Sequence, residues 1–195
     1  MDKTRSLIKS DSYSRRQVLI ETMNGLETEE ITCANCPGHC CTFVGNSMQM
    51  TTVEALDLYF YLVDNDLWNE ELEEKLKENI KEFRLDHRPS IGGGHFMRKT
   101  YTCPFFLFQS KGCPIPPQFK PYGCLGFNPS KQKELEGKSC SSSQVLLEAR
   151  EEAVKDEERE CKNIRESLHL AWDKETIPSA LLDIRKAILA LSLQQ

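Results

Sequence analysis

Four cysteines lie within nine residues in the first quarter of the chain. They are Cys33, Cys36, Cys40 and Cys41, spaced as Cys-x2-Cys-x3-Cys-Cys. Thiolate sulfur is the ligand that zinc, copper(I) and iron–sulfur clusters prefer, and core packing does not require such a density of thiols. Adjacent side chains diverge in a helix or a strand, so Cys40 and Cys41 indicate two sites or two edges of one polynuclear site. Gly38 can supply the positive φ that a tight ligand loop needs.

Disulfides, or small buried side chains, are the competing interpretation of these cysteines. The first eight residues, 1–8, contain no apolar signal segment, and no run of eighteen apolar residues follows, so we expect a cytoplasmic protein that does not enter a membrane. Thiols stay reduced in that compartment, and an odd count of nine cysteines also disfavours complete pairing. Metal or redox chemistry is therefore the better prediction.

A second group of cysteines follows at wider spacing. Cys103, Cys113, Cys124 and Cys140 are separated by nine, ten and fifteen residues, and no second Cys-x2-Cys is present, which argues against a zinc ribbon. The aromatic segment 101–108 and the segment 113–116 predict the two strands of a short β-hairpin.

The segment between residues 95 and 140 is basic although the whole chain is acidic. It holds seven lysines and arginines against two glutamates, a local charge of about +5, whereas the chain carries −5. Positive side chains at this place can offset the negative charge of a thiolate metal centre. The net charge of the chain argues against a nucleic-acid partner.

The two cysteine groups together form a recognisable succession of motifs. After the first group come Cys103-Pro104-Phe105, Gly112-Cys113-x-Ile115 and Lys120-Pro121-x2-Cys124-x2-Phe127. Over roughly residues 30 to 140 the chain resembles the CxxCxxxCC (YkgJ-type) family, described as zinc- or iron-chelating domain proteins. The resemblance implies metal or cluster binding. Some relatives are described as iron–sulfur oxidoreductases, and one branch, in longer chains, methylates flagellin lysines.

Helices are predicted on both sides of the cysteines. An apolar face over 14–26 indicates one helix, with Arg15 and Arg16 opposite it. Thr51 and Glu54 form a capping box that opens a helical insertion over 51–86. A long helix is predicted from about 141 to Trp172, and Pro178 begins a last one. The expected fold is mainly α: a helical bundle around an irregular cysteine-rich metal-binding centre with a short β-hairpin.

We expect the chain to form a single domain over 1–195, with a cysteine-rich core at about 30–140 and C-terminal helices over 141–195. Cys161 shares a seven-residue apolar spacing with Val154 and Leu168, so we interpret it as a core residue. Eight candidate metal ligands remain, which is two sets of four: Cys33, Cys36, Cys40, Cys41, Cys103, Cys113, Cys124 and Cys140.

The predicted function is a cytoplasmic metal-binding protein, and two cofactors stay open. Long, irregular gaps between the cysteines slightly favour an iron–sulfur cluster, which suits electron transfer or redox sensing. Zinc suits a structural module that binds a protein partner. Two further functions are compatible with the pattern. One is an enzyme that resembles the protein methylases among the longer relatives, although no methyl-donor motif is visible, and the second is a metal-delivery protein with labile thiolates.

Overall fold

Helices make up most of the described chain. The computed structural model describes residues 2–9, 11–26, 38–87, 90–92, 95–96, 98–107, 112–128, 141–142 and 144–193. The helices are α1 (Asp2–Arg5), α2 (Ser12–Leu26), α3 (Thr52–Asp64), α4 (Glu70–Glu82), α5 (Tyr122–Leu125), α6 (Gln144–Asp156), α7 (Glu158–Ser167) and α8 (Ile177–Ser192). The prediction of a mainly helical protein is confirmed. Within these ranges, no helix combines the length and the apolar character that crossing a membrane demands.

Helix α3 lies in the middle of the main core. All residues from 52 to 60 are buried, because α7 and α8 both pack against this helix. The predicted capping box is present: Thr51 Oγ1 accepts a hydrogen bond from Glu54 N at 3.3 Å, and Glu54 Oε2 accepts one from Thr51 N at 2.6 Å. Helix α8 packs on α3 and α4 and buries Leu181, Ile184 and Ile188.

Short antiparallel strand pairs tie segments of the chain together. Strand β1 (Gln49–Thr51) pairs with β6 (Lys174–Thr176), so the strands that lead into α3 and α8 lie side by side. Two other pairs are β2 (Ser90–Gly92) with β3 (His95–Phe96) and β4 (Phe127–Asn128) with β5 (Ser141–Ser142).

The predicted position of the β-hairpin is wrong. Residues 101–107 and 112–116 are irregular, although Leu107 N donates to Gly112 O at 3.1 Å. Pro104, Pro114 and Pro116 lack backbone N–H groups, so this segment has too few donors for a ladder.

The predicted long C-terminal helix is broken at Glu157, which separates α6 from α7. Tyr122 donates a hydrogen bond from its hydroxyl to the buried carboxylate of Glu157, and Arg15 Nε lies 3.1 Å from the same carboxylate. In an unbroken helix, the helical period would decide the direction of the Glu157 side chain. Here Tyr122 and Arg15 hold it toward the interior of the protein. Local sequence carries no sign of them.

Helix α2 buries only part of its predicted apolar face. Val18 is 65% exposed, whereas Leu19 and Met23 are buried beside the small helix α5. Arg15 and Arg16, expected on the solvent side, both reach Asp57 on α3. The helix itself is confirmed, but its orientation is set by these ion pairs rather than by its apolar residues alone.

Candidate metal centre

Cysteines from three separate segments line one small cavity of about 40 Å³. Cys40 and Cys41 come from a 3₁₀ turn, Cys103 and Cys113 from irregular segments, and Cys124 from α5. The structure thus brings together five of the eight predicted ligands, and each is half-buried. Cys33, Cys36 and Cys140 lie outside the described residues.

Backbone hydrogen bonds hold the first two segments against each other. Cys103 N donates to Cys41 O at 2.7 Å, and Tyr101 N donates to Asn46 O at 3.1 Å. The buried Tyr101 also donates its hydroxyl proton to Met48 O at 2.7 Å. Residues 41–48 therefore run beside 101–103, and Cys41 and Cys103 are kept at the cavity by main-chain contacts rather than by their side chains.

Gly38 is the residue that lets the 3₁₀ turn approach the cavity. Its φ is +82°, as the sequence predicted for this position, and Cys41 N donates to Gly38 O at 2.9 Å. A Cβ atom here would lie 2.0 Å from Cζ of Phe106. Any other residue would be strained in its backbone and would displace an aromatic ring that lines the cavity.

A buried lysine shares the cavity with the thiols. Lys120 is only 5% exposed and lines the cavity just before α5, the helix that carries Cys124. Its carbonyl oxygen accepts a hydrogen bond from Arg16 Nε at 2.8 Å, which fixes the backbone at this point. Among the described lysines and arginines of the predicted basic segment, Lys120 is the one that lines the cysteine cavity.

The surroundings of the thiols oppose their ionisation. Burial is the main cause that raises the pKa of Cys103, Cys113 and Cys124, and neighbouring thiols add to it. Lys120 acts in the opposite direction on Cys113. For Cys41, the pKa is raised mainly by the hydrogen bond from its thiol to the adjacent Cys40, and burial is the second cause. One lysine offsets one charge, so several thiolates here require further positive charge.

The described side chains do not form a complete ligand set by themselves. In residues 38–87, 98–107, 112–128 and the rest of the described chain, no three His, Cys, Asp or Glu side chains form a group that could hold a metal ion. The five cysteines share a cavity with the right donor chemistry, and three of the predicted ligands are not among the described residues. Metal binding by these residues stays a prediction.

Cys161 does not line the cavity of the other described cysteines. It lies on α7, packs at the edge of the main core, and lines a different cavity together with Thr51 and Thr52. Burial raises the pKa of its thiol, while hydrogen bonds from Val53 N–H and the two threonine hydroxyls oppose that rise.

A network of buried charged side chains fixes the backbone next to the cavity, and the sequence did not predict this network. Asp57 Oδ2 pairs with Arg15 and Arg16, whose side chains are almost fully buried. Glu54 Oε1 accepts the N–H of Tyr122 at 2.6 Å and so positions the start of α5. The available signal was the presence of Glu54 and Asp57 in an otherwise apolar helix, since a buried carboxylate requires partners.

Glu157 makes the stability of this network depend on pH. Burial raises its pKa from 4.5 to about 7, although the hydrogen bond from Tyr122 and the charge of Arg15 lower it. Between these two values the folded protein keeps a proton that the unfolded chain has released. Stability is therefore expected to fall as the pH rises through this window.

The variant Glu157→Gln tests this dependence, because glutamine does not titrate. We expect the urea midpoint of the wild type, relative to that of the variant, to decrease from about pH 5 to about pH 7. Curves that stay parallel over this range would show that Glu157 is ionised in the folded protein throughout.

Comparison with protein-family profiles, with curated proteins and with solved structures gives no match to this chain. The resemblance to the CxxCxxxCC family accordingly stays a prediction, and so do the metal and the biochemical role that it implies.

Proposed function

We propose that the protein binds a thiolate metal centre, an iron–sulfur cluster or zinc. The observation that carries the proposal is the cavity to which three chain segments contribute cysteines. Such a concentration of soft donors has no role in ordinary packing. The proposed ligands are Cys40, Cys41, Cys103, Cys113 and Cys124, with Cys33, Cys36 and Cys140 of the same motif.

The sequence gaps between the cysteines favour an iron–sulfur cluster. The number of donors does not separate the two cofactors, because five cysteines line this cavity, whereas a tetrahedral zinc ion and an iron–sulfur cluster each take four ligands. The long, irregular gaps suit a cluster slightly better than zinc, and it is the form that we favour. The centre would then serve electron transfer or redox sensing.

The other cavity walls suit such a centre. Met48, Phe106 and Ile177 supply apolar surface, which limits access of water and influences a reduction potential. Lys120 places one positive charge beside the thiolates, whose ionised forms carry several negative charges. A structural zinc module would use the same ligands without redox chemistry.

Metal analysis of protein purified without oxygen tests the proposal. We expect a brown protein that contains iron and acid-labile sulfide in amounts comparable to the chain. A colourless protein with tightly bound zinc would support the structural form. Protein that retains neither iron nor zinc after purification and reconstitution with either metal would contradict the proposal.

A further inference from the structure

A second cavity, of about 380 Å³, lies at the junction where α6 ends and α7 begins. Glu158, Cys161, Lys162 and Arg165 line it from α7; their spacing of three, four and seven residues places them on one face of that helix. The start of α3 closes another side.

Positive side chains dominate the walls of this cavity. Lys155, Lys162, Arg165 and Lys174 line it, against the carboxylates of Glu158 and Asp173. Asp173 pairs with Arg165. Lys162 pairs with Glu166 at 3.9 Å. Within the part of the chain that the structure describes, Lys155 and Lys174 have no carboxylate at ion-pair distance. Their charges still act on Glu151, whose pKa is lowered mainly by Arg150 and further by Lys174 and Lys155. A protein of net charge −5 therefore concentrates cations at this place.

The positive lining continues into a neighbouring cavity of about 220 Å³. The two cavities share Val154 and Lys174, and the smaller one adds Arg98 and Arg150. Glu54 is the carboxylate that lines the smaller cavity, and both of its oxygens accept backbone N–H groups at 2.6 Å. Glu54 therefore competes less with a ligand for the basic side chains that line the two cavities.

We propose that the larger cavity binds a small phosphate-bearing molecule. Its volume is in the range of small-ligand sites, roughly 300–1,000 Å³. Several lysines around one space can contact the oxygens of a dianionic phosphate. Val154 and Cys161 supply apolar surface for the rest of the molecule. The site contains none of the proposed metal ligands.

Calorimetric titration with phenyl phosphate tests the site, because this probe combines a phosphate dianion with an apolar ring and chelates metals weakly. We expect saturable binding by the full chain, and an increase in Kd of about tenfold or more in Lys174→Glu. The matched control is Lys77→Glu on α4, an exposed lysine that pairs with Glu73. Its Kd is expected to stay within about twofold of the wild type.

Cys161 offers an independent readout inside the cavity. Phenyl phosphate is expected to slow alkylation of Cys161 by iodoacetamide, measured on its peptide by mass spectrometry, whereas uncharged phenol should not. Lack of binding, equal Kd values in both variants, or no protection of Cys161 would each overturn the proposal. Metal content is measured on the same samples, and Lys174→Glu should leave it unchanged. A failure of the phosphate site is thereby distinguished from a failure of the metal centre.

Discussion

Replacing Cys124 by serine is expected to remove most of the bound metal and to destabilise the segments around the cavity. Cys124 is the best target, because it lines the same cavity as Cys40, Cys41, Cys103 and Cys113, and, after burial, all four contribute to raising its pKa. Serine keeps the size of the side chain but replaces the soft sulfur ligand by an oxygen.

The loss of stability should be large. Structural zinc sites contribute about 10–16 kcal/mol in small peptides, whereas whole domains are stable by about 5–15 kcal/mol. Residues 38–48, 98–107 and 112–128 contain most of the cavity lining, so amide hydrogen exchange should increase there first. The core of α3, α4 and α8 should keep more protection, because its contacts are mainly apolar and Cys103 and Cys113 pack only at its edge.

Cys161→Ser is the matched control for this experiment. The substitution is chemically identical, and the site on α7 offers the hydroxyls of Thr51 and Thr52 as hydrogen-bond partners for the new serine. Metal content should match that of the wild type. Equal metal loss in both variants, or full metal retention in Cys124→Ser, would contradict the assignment of ligands.

Features encoded by local sequence could be predicted well. The start of α3 follows from Thr51 and Glu54, whose side chains and backbone cap each other within four residues. The start of α8 follows from Pro178, because proline is favoured in the first turn of a helix. The meeting of Cys41 with Cys103 could be expected only from chemistry, since a closed ligand set requires distant cysteines to converge.

Features that depend on distant partners could not be predicted. The break at Glu157 arises from Tyr122 and Arg15, which are far away in sequence. The orientation of α2 likewise depends on Asp57, and no periodicity within α2 indicates that its arginines face inward. Buried charges therefore explain the principal errors in the helical predictions, because their position is decided by partners rather than by apolar spacing.

Replacing Asp57 by alanine is expected to cost about 3–5 kcal/mol of the free energy of unfolding. Such a loss is typical when one partner of a buried ion pair is removed and the other charge stays buried. Here two guanidinium groups lose one carboxylate partner, since both Arg15 and Arg16 contact Asp57 Oδ2 and their side chains are 5% and 0% exposed. Arg15 still pairs with Glu157. Urea unfolding of the two proteins measures the difference.

Asp64→Ala on the same helix is the matched control. Asp64 also pairs with an arginine, Arg5, but the two side chains are 48% and 38% exposed, so the cost should be below about 1 kcal/mol. Because Arg16 also holds the carbonyl of Lys120, Asp57→Ala should additionally weaken metal retention at the cysteine cavity, whereas Asp64→Ala should not. Similar unfolding energies for the two variants would show that the buried network does not support α2 and the proposed centre.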